Sequence, residues 1–87
     1  MLLMRDGSKY VGDFKNGEMT GQGRRVYEDG TEYTGDFFQG ERHGKGEILY
    51  GKRNFREEFY KGDFVMNVRS GFGQLVYRNN KVIQGNF

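Results

Sequence analysis

An all-β fold, a single-layer solenoid of consecutive antiparallel β-hairpins, elongated and twisted, is what this 87-residue chain predicts. Three observations lead there. A Y-x-G-x-F segment recurs in phase, its aromatic and glycine positions alternate with other residues, and no stretch carries the 3.6-residue periodicity of a helix.

The elements follow in order. Residues 1–9 read as a partial repeat, with Leu2 and Met4 in the places that Arg25 and Tyr27 hold later. Residues 10–32 make the first whole unit: Tyr10-Val11-Gly12-Asp13-Phe14, a turn at Asn16-Gly17, then Gly21-Gln22-Gly23 followed by Tyr27. Alternation puts Tyr10, Gly12 and Phe14 on one strand face and Val11 and Asp13 on the other. Asn-Gly is a strong hairpin dipeptide because both residues tolerate positive φ. Asp29-Gly30 then turns the chain into the next unit, as Asp6-Gly7 does before it.

Residues 33–59 repeat the pattern with Tyr33, Gly35 and Phe37, a turn at Gln39-Gly40, then Gly44, Gly46 and Tyr50. This unit carries an insertion: Tyr50 to Tyr60 is ten steps where Tyr27 to Tyr33 is six. Residues 51–59 are expected to form an extended loop or longer hairpin tip, with a partner-contact loop as the alternative, because they are basic at one end and add Phe55 and Phe59. Residues 60–82 give a third unit with Tyr60, Phe64, a turn at Asn67, Gly71, Gly73 and Tyr77. Residues 83–87 start a fourth, Ile83-Gln84-Gly85-Asn86-Phe87, which stops in mid-hairpin.

This pattern resembles the MORN repeat family (membrane occupation and recognition nexus), whose unit reads much as Tyr10 to Glu32 does. The resemblance covers nearly the whole chain. It implies scaffolding and targeting modules, found at membrane junctions and the cytoskeleton and attached to some enzymes such as lipid kinases and methyltransferases.

The strand glycines have a packing explanation: a glycine beside an aromatic leaves room for a ring from the neighbouring strand. A phosphate-binding glycine loop would need a helix N-terminus after it, and no helix is expected. Catalysis finds little support. The single histidine, His43, sits in a turn context with no orienting group, and Ser8 and Ser70 stand outside any triad. The equivalent carboxylates Asp13, Asp36 and Asp63 are about 10 Å apart at two strands per repeat, too far for one metal ion. They are expected on a solvated face, paired with Arg24 and Lys45 across the hairpin. No metal and no cofactor is expected, and the chain reads as a non-enzyme.

Fourteen basic against twelve acidic residues, a formal net charge of +2, is too balanced to point to nucleic acid. Cysteine is absent and the apolar opening lasts only four residues, so a cytoplasmic location, with association to cytoskeleton or membrane, is the expectation. The expected function is a non-catalytic protein-interaction module. Tyr10, Phe14, Tyr27, Tyr33, Phe37, Tyr50, Tyr60, Phe64 and Tyr77 would line an aromatic groove for a partner's extended segment or amphipathic helix. Exposed end strands would permit self-association. The alternatives are anionic phospholipid (phosphoinositide) headgroups bound by Lys52, Arg53 and Arg56, and a targeting segment of a larger enzyme. Arg24, Arg25 and Arg42, like Lys52, Arg53 and Arg56 themselves, are otherwise expected as exposed solubilising charges.

Overall fold

A computed structural model describes residues 2–87; Met1, counted above in the first partial repeat, lies outside them. The eight strands are β1 (Leu2–Leu3), β2 (Lys9–Lys15), β3 (Glu18–Val26), β4 (Glu32–Phe38), β5 (Glu41–Leu49), β6 (Glu57–Val65), β7 (Val68–Tyr77) and β8 (Val82–Asn86). They pair in sequence order, all antiparallel, into one open sheet measuring 39 × 25 × 14 Å. Each strand therefore pairs through its backbone only with its sequence neighbours, as the hairpin period requires.

Two kinds of turn alternate. The hairpin turns Asn16-Gly17, Gln39-Gly40 and Met66-Asn67 have positive φ at both central residues, the twist that matches flanking strands. Between hairpins a side-chain oxygen accepts the backbone N–H two residues on: Asp6 from Ser8 at 2.9 Å, Asp29 from Thr31 at 2.9 Å and Asn79 from Lys81 at 3.1 Å. The Ser8 hydroxyl, together with the Ser8 N–H, holds the Asp6 carboxyl below the ordinary range, and the Thr31 N–H does the same for Asp29.

A glycine stands at the same level of seven successive strands. Gly12, Gly23, Gly35, Gly46, Gly62, Gly73 and Gly85 are cross-strand partners in an unbroken row. Beyond this row each hairpin shifts register by two residues. Gly12 pairs with Gly23 but Phe14 with Met19, so β3 spends four steps where β2 spends two; Phe37–Arg42 and Phe64–Arg69 repeat the shift. An even shift leaves every side chain on its original face. The bulge also uses the repeated aspartates: Asp13 accepts the Gln22 N–H at 3.2 Å and Asp36 the Lys45 N–H at 3.0 Å. The expected pairing of these carboxylates within their own hairpins is corrected here. Lys45 Nζ reaches forward to Asp63 at 3.0 Å, and Arg24 pairs with Glu32.

The core lies on one face and consists largely of rings. Tyr10, Tyr33 and Tyr60 are 0–1% exposed, and Phe37 and Phe64 are 3% and 2%. Phe14, Tyr10, Phe37, Tyr33, Phe64, Tyr60 and Phe87 form a continuous edge-to-face ladder with centroids 4.9–5.2 Å apart. Each tyrosine ring lies over the glycine of the following strand, and its hydroxyl donates to a backbone carbonyl three residues on: Tyr10 to Asp13, Tyr33 to Asp36 and Tyr60 to Asp63, at 2.8–3.0 Å.

Burial, reinforced by the nearby aspartate, pushes the phenols of Tyr10, Tyr33 and Tyr60 above their ordinary range, Tyr33 the most. The folded chain thus holds protons that the unfolded chain releases near pH 10, so the contribution of these phenols to stability is level below that pH and falls as pH rises beyond it. A series of urea midpoints from pH 8 to pH 11 should show that decline, less steeply in Tyr33→Phe. Parallel curves for the two proteins would contradict it.

Candidate functional site

The nine-ring groove expected from the sequence is not open. Tyr10, Tyr33, Phe37, Tyr60 and Phe64 are the core and have no surface left for a partner, because consecutive hairpins roof one another's rings. Phe14, at the ladder's end, is 44% exposed. Only Tyr27, Tyr50 and Tyr77 remain as a half-buried row beside the core, continued by Met4.

Part of the roof comes from residues given other roles above. Met19, Arg42 and Arg69 occupy the same register position in three successive hairpins. Met19 is buried, while Arg42 spreads over Phe64 at 5.5 Å and over Tyr27 and Tyr33 at 6.0 Å, and Arg69 over Tyr60 and Phe87 at 5.6 and 5.8 Å. Arg42 is therefore not an exposed solubilising charge. Its apolar stem and flat head do the covering that methionine does in the first hairpin. Arg25 is not exposed either: it stacks on Tyr27 at 4.7 Å and is held by Asp6 at 2.7 Å. A pocket of about 440 Å³ opens beside this row, between the 28–31 turn and the inserted loop, with Tyr27, Arg42, Ile48 and Tyr50 among its walls.

The opposite face carries a larger concavity that sequence reasoning missed. A trough of about 590 Å³ crosses from Gln22 on β3 to Gln84 on β8 along the back of the glycine row. Its charged groups are already partnered, Lys45 with Asp63 and Lys61 with Glu47 at 3.9 Å, and Gln22 donates to Asp36. Phe72, 56% exposed, stands in the lining. Two residues further along the strands, Leu49, Phe59, Val76 and Val82 are cross-strand partners, and alternation places all four on this same face. They make a stripe of adjacent apolar side chains, half-buried to exposed. In the sequence they are isolated residues; only the pairing across the 51–59 insertion brings them together.

That insertion is more ordered than an extended loop. Residues 57–59 lengthen β6, and Phe59 belongs to the sheet. Asn54 Oδ1 accepts the N–H groups of Arg56 and Glu57, and Arg78, from the next turn, donates to the carbonyls of Tyr50, Gly51 and Asn54 at 2.9–3.0 Å. Phe55 projects from this braced loop at 86% exposure, with exposed Lys52, Arg53 and Arg56 around it and Arg78 and Lys81 beside it.

His43 lies in β5 rather than in a turn. Its Nδ1 accepts the Met66 N–H at 3.2 Å and its ring lies 5.7 Å from Phe38, so it ties neighbouring hairpin ends together. Ser8 is fully buried, donating to Asp6 at 2.6 Å and accepting from Arg25. Among the described residues no group of three or more His, Cys, Asp or Glu is placed to hold a metal ion. Among the described residues there is no helix long and apolar enough to cross a membrane.

A family model described as MORN repeat matches residues 10–32, 33–55 and 60–82, leaving 56–59 of the insertion outside the match. No curated protein matches the chain.

Proposed function

This chain belongs to the MORN repeat family, whose units are in general non-catalytic modules of protein and membrane interaction, and from that premise we propose that it docks an amphipathic helix of a protein partner in the trough. The observation that carries this reading is the apolar stripe of Leu49, Phe59, Val76 and Val82, which lies on the same face two residues beyond the trough's lining residues Glu47, Lys61, Gln74 and Gln84, with exposed Phe72 inside the lining. Its spacing selects the occupant. Strands lie about 4.8 Å apart, close to the 5.4 Å turn of a helix laid across them, whereas an extended segment presents same-side residues about 6.7 Å apart. From β3 to β8 the trough is about 24 Å long, room for roughly four helical turns. Because its charged residues pair with one another, the apolar stripe rather than a net field would select the partner.

A photo-cross-linking residue at Gln74, in the lining, tests this in a cell extract. The linked segments should carry apolar residues at three- and four-residue spacing, and Leu49→Glu with Val82→Glu, both at exposed positions, should remove the links without unfolding the chain. Links to segments lacking that spacing, or links that survive both substitutions, would sink the reading.

Phe55 supports a second reading, an anionic phospholipid headgroup surface. A ring held clear of the protein by a braced loop among Lys52, Arg53 and Arg56 can enter the headgroup region while the cations meet the phosphates. Vesicles containing phosphatidylserine should then co-sediment the chain at low salt, less so with Phe55→Ala and not at all with Arg53→Glu plus Arg56→Glu. Equal binding to neutral vesicles would rule it out.

A further inference from the structure

The three equivalent positions Met19, Arg42 and Arg69 differ in one respect that bears on ligands. Arg69 is a completed ion pair: its Nη1 donates to Glu57 Oε2 at 2.8 Å and to the Tyr50 hydroxyl at 3.2 Å. Arg42 has no such partner. Its Nη2 donates to the Asn67 carbonyl at 2.8 Å, its Nε is buried with no hydrogen-bond acceptor, and no carboxylate of the described residues pairs with it. The reason lies in the connecting segments. The insertion lengthens β6 and brings Glu57 to Arg69, whereas the short turn before β4 leaves its carboxylates, Glu28 and Asp29, beyond ion-pair distance of Arg42.

A guanidinium with a desolvated, unmatched donor is an unfavourable feature of a folded chain unless something else completes it. Arg42 also lines the 440 Å³ pocket, whose other walls include Tyr27, Ile48 and Tyr50, with Arg53 on the side of the inserted loop. Of the carboxylates in the lining, Asp6 is engaged by Arg25, and Asp29 by the Thr31 N–H and by the charge of Arg53. Glu28 takes part in none of the ion pairs and opposes an incoming anion.

We propose that this pocket receives a carboxylate from a protein partner, an aspartate or glutamate side chain whose oxygens complete Arg42 as Glu57 completes Arg69. The chain's own Arg69–Glu57–Tyr50 cluster is the template for the chemistry, a carboxylate on a guanidinium beside a tyrosine hydroxyl. A phosphate, with its higher charge, is disfavoured by the three carboxylates on the rim. The site lies on the ring face, away from the trough, so either can fail without the other.

The probe is glutamate blocked at both ends, titrated into the 87-residue chain while the Arg42 Nε–H is followed by NMR. The expected result is a saturable shift at Arg42 and at the rings of Tyr27 and Tyr50, absent with blocked glutamine and absent at the Arg69 Nε–H. Glu28→Gln should tighten binding several-fold. Arg42→Met should abolish it while leaving the fold intact, since Met19 fills this position in the first hairpin. No saturable shift, or an equal response to blocked glutamine, overturns the proposal. Tighter binding of inorganic phosphate overturns it in favour of a phosphoryl site. So does a fall in thermal midpoint for Arg42→Met as large as for Arg69→Met, because Asn67 and the rings would then already satisfy the guanidinium.

Discussion

Gly46→Ala should destabilise the chain by about 3 kcal/mol, the upper end for an overpacked site and a large share of the roughly 5–15 kcal/mol that holds a small domain together. A Cβ on Gly46 would sit 2.5 Å from Cε1 and Cζ of Tyr33, inside the ring's van der Waals surface. That ring cannot withdraw: it is fully buried between Phe37 and Phe64, with its hydroxyl tied to Asp36. The matched control is Gly17→Ala. Gly17 lies at φ +79° with nothing within 4 Å of a Cβ, so alanine there suffers only the left-handed backbone, about 1 kcal/mol. Urea denaturation of both variants decides the matter. Equal losses would mean that the ring does not occupy the face of the glycine, and the account of the glycine row would fall. Adding Tyr33→Phe to Gly46→Ala should not restore stability, because ring carbons as well as the hydroxyl stand in the way.

Tyr33→Ala should cost about 4 kcal/mol, as removal of a fully buried ring does. Tyr33 is the middle ring of the ladder, and its loss leaves Phe37 and Phe64 facing a void that a single sheet has no second layer to fill. Tyr33→Phe should lose only about 1 kcal/mol, the net worth of one hydrogen bond to the Asp36 carbonyl. Phe14→Ala, at the exposed end of the same ladder, should lose less than half as much as Tyr33→Ala. Midpoints in urea at constant m-value give the comparison. If the losses at positions 14 and 33 were alike, the ladder would be decoration on the sheet rather than its core.

These residues also mark what could be read in advance. The Asn16-Gly17 turn, the Asp29-Gly30 turn and the relation of glycine to ring were legible because each is a local matter of φ, alternation and the space beside one strand. The faces of Tyr10, Gly12 and Phe14 came out correctly even though the two-residue bulge was not foreseen, since an even shift conserves facing. The groove was misread for a reason of the opposite kind. Whether Tyr33 is open or covered depends on Phe64, one unit away, and no local pattern reports that. Arg42 looked like any turn-flanking cation, yet the same register position is Met19 in the hairpin before, which in retrospect was a signal that the site is apolar.

The sequence by itself determined the period, the all-β class and where the chain turns, because these follow from preferences that act within a few residues. The tertiary structure alone decided which rings are core, which cation is left without a counter-charge and which apolar residues meet as a stripe on the other face. Leu49, Phe59, Val76 and Val82 become neighbours only through hydrogen-bonded register between strands. Register is settled by the burial of whole hairpins against one another, a non-local free energy that no single repeat contains.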